Sequence, residues 1–251
     1  MRLNALFSAI FAAAAITASA AVPKVIAHRG HWVPAGSAQN SIRSIVKADS
    51  INCFGSEFDV WSTSDGVLVV NHDRKFGGLV IEESPAEKVL AITLPNGEKL
   101  PTLDQYLDAA KDLDVKLICE MKAHSNPKTD IEAAKKIVKA INSKGLTERT
   151  EYITFSRPGL EELIKLAPNN PTYYLSGGLS PAELKNLGAA GADYHINEFR
   201  KNPQWIKEAH DLGLKINIWT VDDEADMKWC IDNGADFITT NQPERLFRLL
   251  W

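Results

Sequence analysis

The chain has 251 residues, 45% hydrophobic and 24% charged, the balance of a soluble globular protein with room for one large domain or two small ones. A net charge of −4 without basic clusters argues against nucleic-acid binding and gives no electrostatic reason to sit on anionic lipid. Three cysteines, Cys53, Cys119 and Cys230, are too few for a disulfide framework, although one bridge stays open.

Taken in chain order, the first predicted element is an export signal over residues 1–20. Arg2 leads into the apolar run LFSAIFAAAAITA, followed by Ala18-Ser19-Ala20. A positive start, a short apolar core and an A-x-A site make a secretory signal peptide, which implies a periplasmic or secreted protein. The run is too short to span a bilayer comfortably, so no stable membrane insertion is expected after cleavage. No cysteine follows it, so a lipoprotein site is absent. Arg2 is the only charge removed, and the mature net charge falls from −4 to −5.

From Lys24 onward, strand-like and helix-like segments alternate. KVIAH precedes NSIRSIVKADS, and CFGSEFDV precedes, after an excursion, TLDQYLDAAKDL. KLICEMK precedes DIEAAKKIVKAINSKG, EYITFS precedes PGLEELIKLA, and PTYYLS precedes SPAELKNLGAA. ADYHIN precedes PQWIKEAHDLG, KINIWTV precedes EADMKWCIDNG, and DFITT precedes PERLFRLL. Eight such units predict a parallel sheet closed as a (β/α)8 TIM barrel over residues 21–251. An open doubly wound sheet is the alternative, but no G-x-G-x-x-G follows the first strand.

The excursion is VLVVNHD. Asp-Gly in the preceding TSDG is a hairpin signal, so this run reads as a return arm rather than a ninth barrel strand. Pairing about Ser64 and Asp65 would set Glu57 opposite His72. Residues 74–101, rich in GG, SP and PNG turn signals, then form a small insertion capping the barrel mouth.

Candidate chemistry sits at strand ends. Glu57 and Asp59 share one face of their strand, about 7 Å apart along the backbone, while Phe58 and Val60 face outward. Two converging carboxylates in a partly dry cavity repel, and a divalent cation relieves that repulsion. Glu120 and Lys122 repeat the pattern in LICEMK, so Glu120 can supply a third oxygen ligand and Lys122 can lie where a phosphate oxygen would. Oxygen-only ligands favour Ca²⁺ or Mg²⁺ over zinc. His28 and Arg29 end the first strand and His72 ends the hairpin. Two histidines can act as acid and base near neutral pH, and Arg29 offers a forked donor for phosphate. Singly, each residue could be ordinary core or ion-pair chemistry; only their joint placement at successive strand ends points to phosphodiester cleavage.

AHRG, EFDV with VVNHD, LPTLDQYL, CEMK, and IWTVDD followed by GADFITTNQP resemble the glycerophosphodiester phosphodiesterases, in order and from about Lys24 to the C-terminus. The resemblance implies a TIM barrel with a small insertion and metal-dependent hydrolysis of a small-molecule glycerophosphodiester to glycerol phosphate and an alcohol. It implies His28 and His72 as the acid–base pair, Glu57, Asp59 and Glu120 as metal ligands, and Arg29 and Lys122 as phosphate-binding residues. Two alternatives are a sphingomyelinase D-like lyase releasing a cyclic phosphate and a non-catalytic headgroup-binding barrel.

The chain departs from the family pattern twice. The usual P-E-N-T reads Ala38-Gln39-Asn40-Ser41, and the usual Thr-Asp before proline reads Thr240-Asn241-Gln242-Pro243. Gln39 replaces an acid near the site, which predicts lower metal affinity or rearranged partners around the ligands, and Asn241 removes a carboxylate close to the mouth. Asn40 or Ser41 also suits a helix N-cap. Trp219, which lies in the family motif, Trp61, in phase with Glu57 and Asp59, and Asn40 are candidate substrate contacts.

Overall fold

The computed structural model describes residues 22–251, so the export signal read over residues 1–20 lies outside the described residues. The strands are β1 (Lys24–Ala27), β2 (Gly55–Ser62), β3 (Leu68–Val70), β4 (Lys75–Phe76), β5 (Leu79–Val80), β6 (Lys116–Met121), β7 (Thr150–Thr154), β8 (Thr172–Tyr174), β9 (Gly191–His195), β10 (Lys215–Trp219) and β11 (Phe237–Thr240). β2, β6, β7, β8, β9, β10 and β11 follow one another in the sheet, and β1 pairs with both β2 and β11, closing a parallel eight-stranded barrel. These are the eight units expected from the alternation of patterns.

The alternation of side chains along each strand builds two layers. Phe58, Val60, Cys119, Met121 and Tyr152 turn outward into the core beneath the helices. Ile26, Ile118, Ile153, Tyr173, Leu175 and Phe237 turn inward and fill the barrel axis. Glu57, Asp59 and Glu120 share the inward phase but lie further along their strands, so they stand above this apolar plug at the C-terminal end. All three cysteines are free and buried, which removes the possible bridge. No helix among the described residues is long and apolar enough to cross a membrane.

Helix starts follow their caps. Ser41, rather than Asn40, caps the helix Ile42–Ser50 by accepting the Ser44 N–H. Thr102 and Gln105 form a reciprocal capping box at the helix Leu103–Ala110, closing the insertion. One short helix, Ile196–Lys201, was not anticipated; it stands between β9 and the helix Gln204–Asp211.

The hairpin after β2 forms, but its register differs from the expected one. Val60 faces Val70 and Trp61 faces Val69, so pairing centres on Asp65 alone. Thr63 and Val67 close a three-residue loop, with Gly66 left-handed at φ +81°, where a side chain would be strained. That extra loop residue slides the return arm, and the Asn71 N–H donates to the Asp59 carbonyl. Continued at that register, His72 falls one step short of the position expected opposite Glu57, level with Phe58 instead.

The segment after the hairpin folds as a small cap. It carries the β4–β5 ribbon, a turn of 3₁₀ helix at Ile81–Glu83 and the helix Ala86–Leu90. Its own apolar cluster gathers Ile81, Val89, Leu94 and Leu100 around Trp61 and Val69. This corrects the placement expected for Trp61. It keeps the phase of Glu57 and Asp59, but at the end of β2 that phase points under the cap. Its indole N–H donates to the His72 carbonyl at 3.1 Å, and its ring meets His124 edge-on at 5.1 Å.

Candidate active site

The corner after β1 is strained and tightly fitted. Arg29 adopts φ +56°, a left-handed conformation that costs a side-chain-bearing residue about 1–2 kcal/mol. Gly30 follows at φ +74°, and a Cβ there would fall 2.3 Å from the Ser44 hydroxyl oxygen. Only glycine fits, so Ser44 presses the corner against the barrel. The turn delivers the Arg29 N–H to Glu57 Oε2 at 2.7 Å and leaves His28 Nε2 4.0 Å from the same oxygen.

Glu57, Asp59 and Glu120 converge as their phases require. Each offers a carboxylate oxygen, and these lie within 4.8 Å of one another, with all three residues buried. Lys122 Nζ lies 2.6 Å from Glu120 Oε1 and 3.0 Å from Asp59 Oδ1. Asn40, left-handed at φ +59°, is fastened to Asp59 twice. Its amide donates to Asp59 Oδ2 at 2.8 Å, and its Oδ1 accepts the Asp59 N–H at 3.1 Å. Both polar ends of Asn40 are thus engaged in positioning a carboxylate rather than held out for a substrate.

The electrostatics are those of an incomplete cluster. Burial, then the charges of Asp59 and Glu120, push the Glu57 carboxyl well above the usual range. Burial also leads at Glu120, which is pushed up to about 7 although Lys122 opposes it. At Asp59 burial is outweighed by Lys122, His72, the Asn40 amide and Arg29, which hold the carboxyl at about 2. One ionised acid flanked by two reluctant ones is what crowded carboxylates do when the ammonium of Lys122 is shared between two of them. Glu57 Oε1 is moreover buried without a partner. Three buried carboxylates, with Glu57 Oε1 orphaned, fit a hard divalent cation.

Both histidines reach the same cavity. His28, Arg29, Glu57, His72 and Glu120 line one side, and Ile153, Phe155, Leu175, Asp193, Trp219, Thr220 and Thr239 line the other. Burial and then Arg29 lower the His28 imidazole to about 4, so it is neutral at pH 7. His72 is lowered as well, chiefly by burial, while Asp59 and Asp73 favour its charged form. Its Nδ1 lies 2.8 Å from Asp73 Oδ1.

The two departures from the family pattern both make contacts here. Gln39 Oε1 accepts from Arg29 Nη1 at 2.7 Å, so a neutral group holds this end of the guanidinium, while its Nε lies 3.9 Å from Asp59 Oδ2. Asn241 gives its N–H to Asp222 Oδ1 and its amide to Asp222 Oδ2, each at 2.7 Å. Asp222 thereby turns Asn241 Oδ1 toward His28 Nδ1, 2.9 Å away. His28 then carries its proton on Nδ1, leaving Nε2 as the free base on the side of Glu57. The Trp32 indole N–H donates to the same Asn241 oxygen at 3.1 Å.

Among the candidate substrate contacts, Trp219 is on the cavity wall, edge-on to Phe155 at 5.6 Å, with its N–H donated to the Asp193 carbonyl. Lys122 is held against Asp59 and Glu120 and does not border that cavity. Sequence reasoning missed Asp193 on β9. The signal was present: an acid in an apolar strand, at the inward phase, as at Glu57.

Residues 28–245 match the model of the glycerophosphoryl diester phosphodiesterase family. A glycerophosphodiester phosphodiesterase of Caldanaerobacter subterraneus subsp. tengcongensis is 29% identical over 242 residues, spanning 90% of this chain and 97% of that protein. The crystal structure of a glycerophosphodiester phosphodiesterase from Parabacteroides distasonis superposes with a TM-score of 0.90 at 47% identity, covering 91% of this chain and 96% of that one. An Oleispira antarctica phosphodiesterase, solved with the product sn-glycerol-3-phosphate, shares the fold at 22% identity with a TM-score of 0.77, over 90% and 96% of the two chains. With the family model covering most of the chain, and His28, Arg29, Glu57, His72 and Glu120 gathered on one cavity, the protein belongs to the glycerophosphoryl diester phosphodiesterase family.

Proposed function

We propose that the protein hydrolyses glycerophosphodiesters to glycerol phosphate and an alcohol, with one divalent cation, Ca²⁺ or Mg²⁺, held by Glu57, Asp59 and Glu120. The observation that carries this reading is the convergence of those three carboxylates with His28, His72 and Arg29 at one end of the barrel. When bound, the cation supplies positive charge against the negative charge developing on the phosphate oxygens.

The residues divide the remaining work. Arg29, held by the neutral Gln39 at Nη1 and 3.9 Å from Asp59 Oδ2 at Nε, presents its charge to a phosphate oxygen. Lys122 keeps its ammonium despite burial, because Asp59 and Glu120 favour the charge, and its field adds to that of Arg29. His28, neutral and with Nε2 free, takes the proton of the nucleophile, either water attacking phosphorus directly or the glycerol 2-hydroxyl, whose cyclic ester water then opens to the monoester. His72, its Nδ1 fixed 2.8 Å from Asp73 Oδ1, gives a proton to the leaving alcohol. Trp219 and Phe155 offer an apolar wall to the carbon skeleton.

Asn241 and Gln39 both make short contacts to site residues, which gives no support to a decayed, purely binding barrel. The test is turnover of glycerophosphocholine with Ca²⁺, with Mg²⁺ and with EDTA, the products followed by phosphorus NMR. An open phosphomonoester formed only with metal supports the hydrolase. A persistent cyclic phosphate would make it a lyase, and no turnover with any metal would leave a binding protein. The leader at residues 1–20 supports export to the periplasm or medium, and sequencing the N-terminus of secreted protein checks it, Ala21 being the expected start.

A further inference from the structure

Asp193 is the one acid on the cavity wall that the acid–base and metal chemistry above leaves without a role. It sits at the middle of β9 and is 1% exposed. Neither carboxylate oxygen has a hydrogen-bond partner. Asn217, its register neighbour on β10, directs its amide to Thr239 Oγ1 at 2.8 Å and accepts the Thr239 hydroxyl in return. Buried polar atoms are nearly always partnered, and leaving one bare costs about 1–3 kcal/mol. Apolar neighbours such as Ile153 and Leu175 would accept a leucine there more readily. Asp193 also stands outside the cluster of carboxylates able to share an ion.

Its place in the barrel gives the reason. The metal-site acids come from β2 and β6, while β9 lies four strands from β2 by either route, directly across the axis. The space between encloses about 430 Å³, part of it open to solvent, with apolar walls of Ile153, Phe155, Leu175 and Trp219. A second space of about 980 Å³ begins at His72 and runs along Trp32, Val33, Phe76 and Leu94 under the cap. A diester with its phosphate at Arg29 and the acids can put one alcohol in each. The larger space suits the half that varies. The smaller, with a fixed polar group opposite the phosphate, suits the half that is constant. Burial pushes the Asp193 carboxyl up to about 8, so near neutral pH it can both donate and accept, as a hydroxyl does.

We propose that Asp193 reads the glycerol half of the substrate, pairing its carboxyl with the terminal hydroxyl of the three-carbon unit and so selecting glycerol esters over those lacking that hydroxyl. This rests on the phosphodiesterase reading for the position of the phosphate, and the test keeps the two apart by measuring binding rather than turnover. Glycerol 3-phosphate and 1,2-propanediol 1-phosphate, which lacks only the terminal hydroxyl, are titrated calorimetrically into the protein with Ca²⁺ or Mg²⁺ present. The wild type is expected to prefer glycerol 3-phosphate by about tenfold to a hundredfold, the worth of one buried hydrogen-bonding group. Asp193→Leu should abolish the preference by weakening only the glycerol ligand, and Asp193→Asn, which still donates and accepts, should keep most of it. Asp193→Ala repeats the comparison if the leucine variant does not fold. Equal affinities in the wild type, or an unchanged ratio in the leucine or alanine variant, would overturn the assignment whether or not the protein proves to be a hydrolase.

Discussion

Asn40→Ala is the perturbation whose cost can be worked most fully from the structure. The substitution removes the amide donor 2.8 Å from Asp59 Oδ2, a charge-assisted bond worth about 1.5–3 kcal/mol. It also removes the acceptor of the Asp59 N–H, a neutral bond worth about 0.5–1.5 kcal/mol. Both groups left behind are buried, so water does not readily replace the lost partners. Alanine must still adopt φ +59°, where asparagine is tolerated far better, adding about 1 kcal/mol. The expected loss is about 3–5 kcal/mol, or roughly 10 °C in melting temperature for a domain of this size. Urea unfolding of metal-free wild type and variant measures it. A loss under about 1 kcal/mol would mean that Asn40 does not hold Asp59, and the second role given to it here would fall.

Two further outcomes follow from the same geometry. His28→Ala and His72→Ala should each lower turnover of glycerophosphocholine at least about a hundredfold, the lower end of acid–base contributions, and near-normal rates from either would remove it from the pair. The pH dependence of stability should carry the mark of His28. Its folded-state value of about 4 lies below the ordinary 6.5, so the unfolded chain takes up the proton first. Stability from this group is present above pH 6.5 and lost as pH falls toward 4. His28→Gln should flatten that part of the profile in urea unfolding of metal-free protein, and an unchanged slope between pH 6.5 and 4 would contradict the shift.

The barrel was legible because each of its eight units carries two periodicities, a short β-rich run and an amphipathic helix, that local physics enforces. The acids were legible for a related reason: a carboxylate at an inward strand position has no structural use in an apolar layer. What the sequence left open is what depends on loop geometry and on partners distant in the chain. The hairpin register turned on Gly66 taking the left-handed position of a three-residue loop, which shifts every later side chain by one. Trp61 kept its phase, but whether it met the cavity or the cap depended on how residues 74–101 packed over it. Asn241 and Gln39 read as missing charges; only the fold revealed that Asp222 orients one toward His28 and that the other receives Arg29. Asp193 carried the same signal as Glu57 but lacked a second acid nearby in sequence to draw attention to it.

Titration calorimetry of Ca²⁺ and Mg²⁺ into metal-stripped protein tests most directly whether Glu57, Asp59 and Glu120 form one ion site. The account predicts a single ion bound per chain, with affinity sharply reduced in Glu57→Gln and Glu120→Gln although both variants remain folded. Absence of binding by the wild type, or affinity untouched by either substitution, would contradict it.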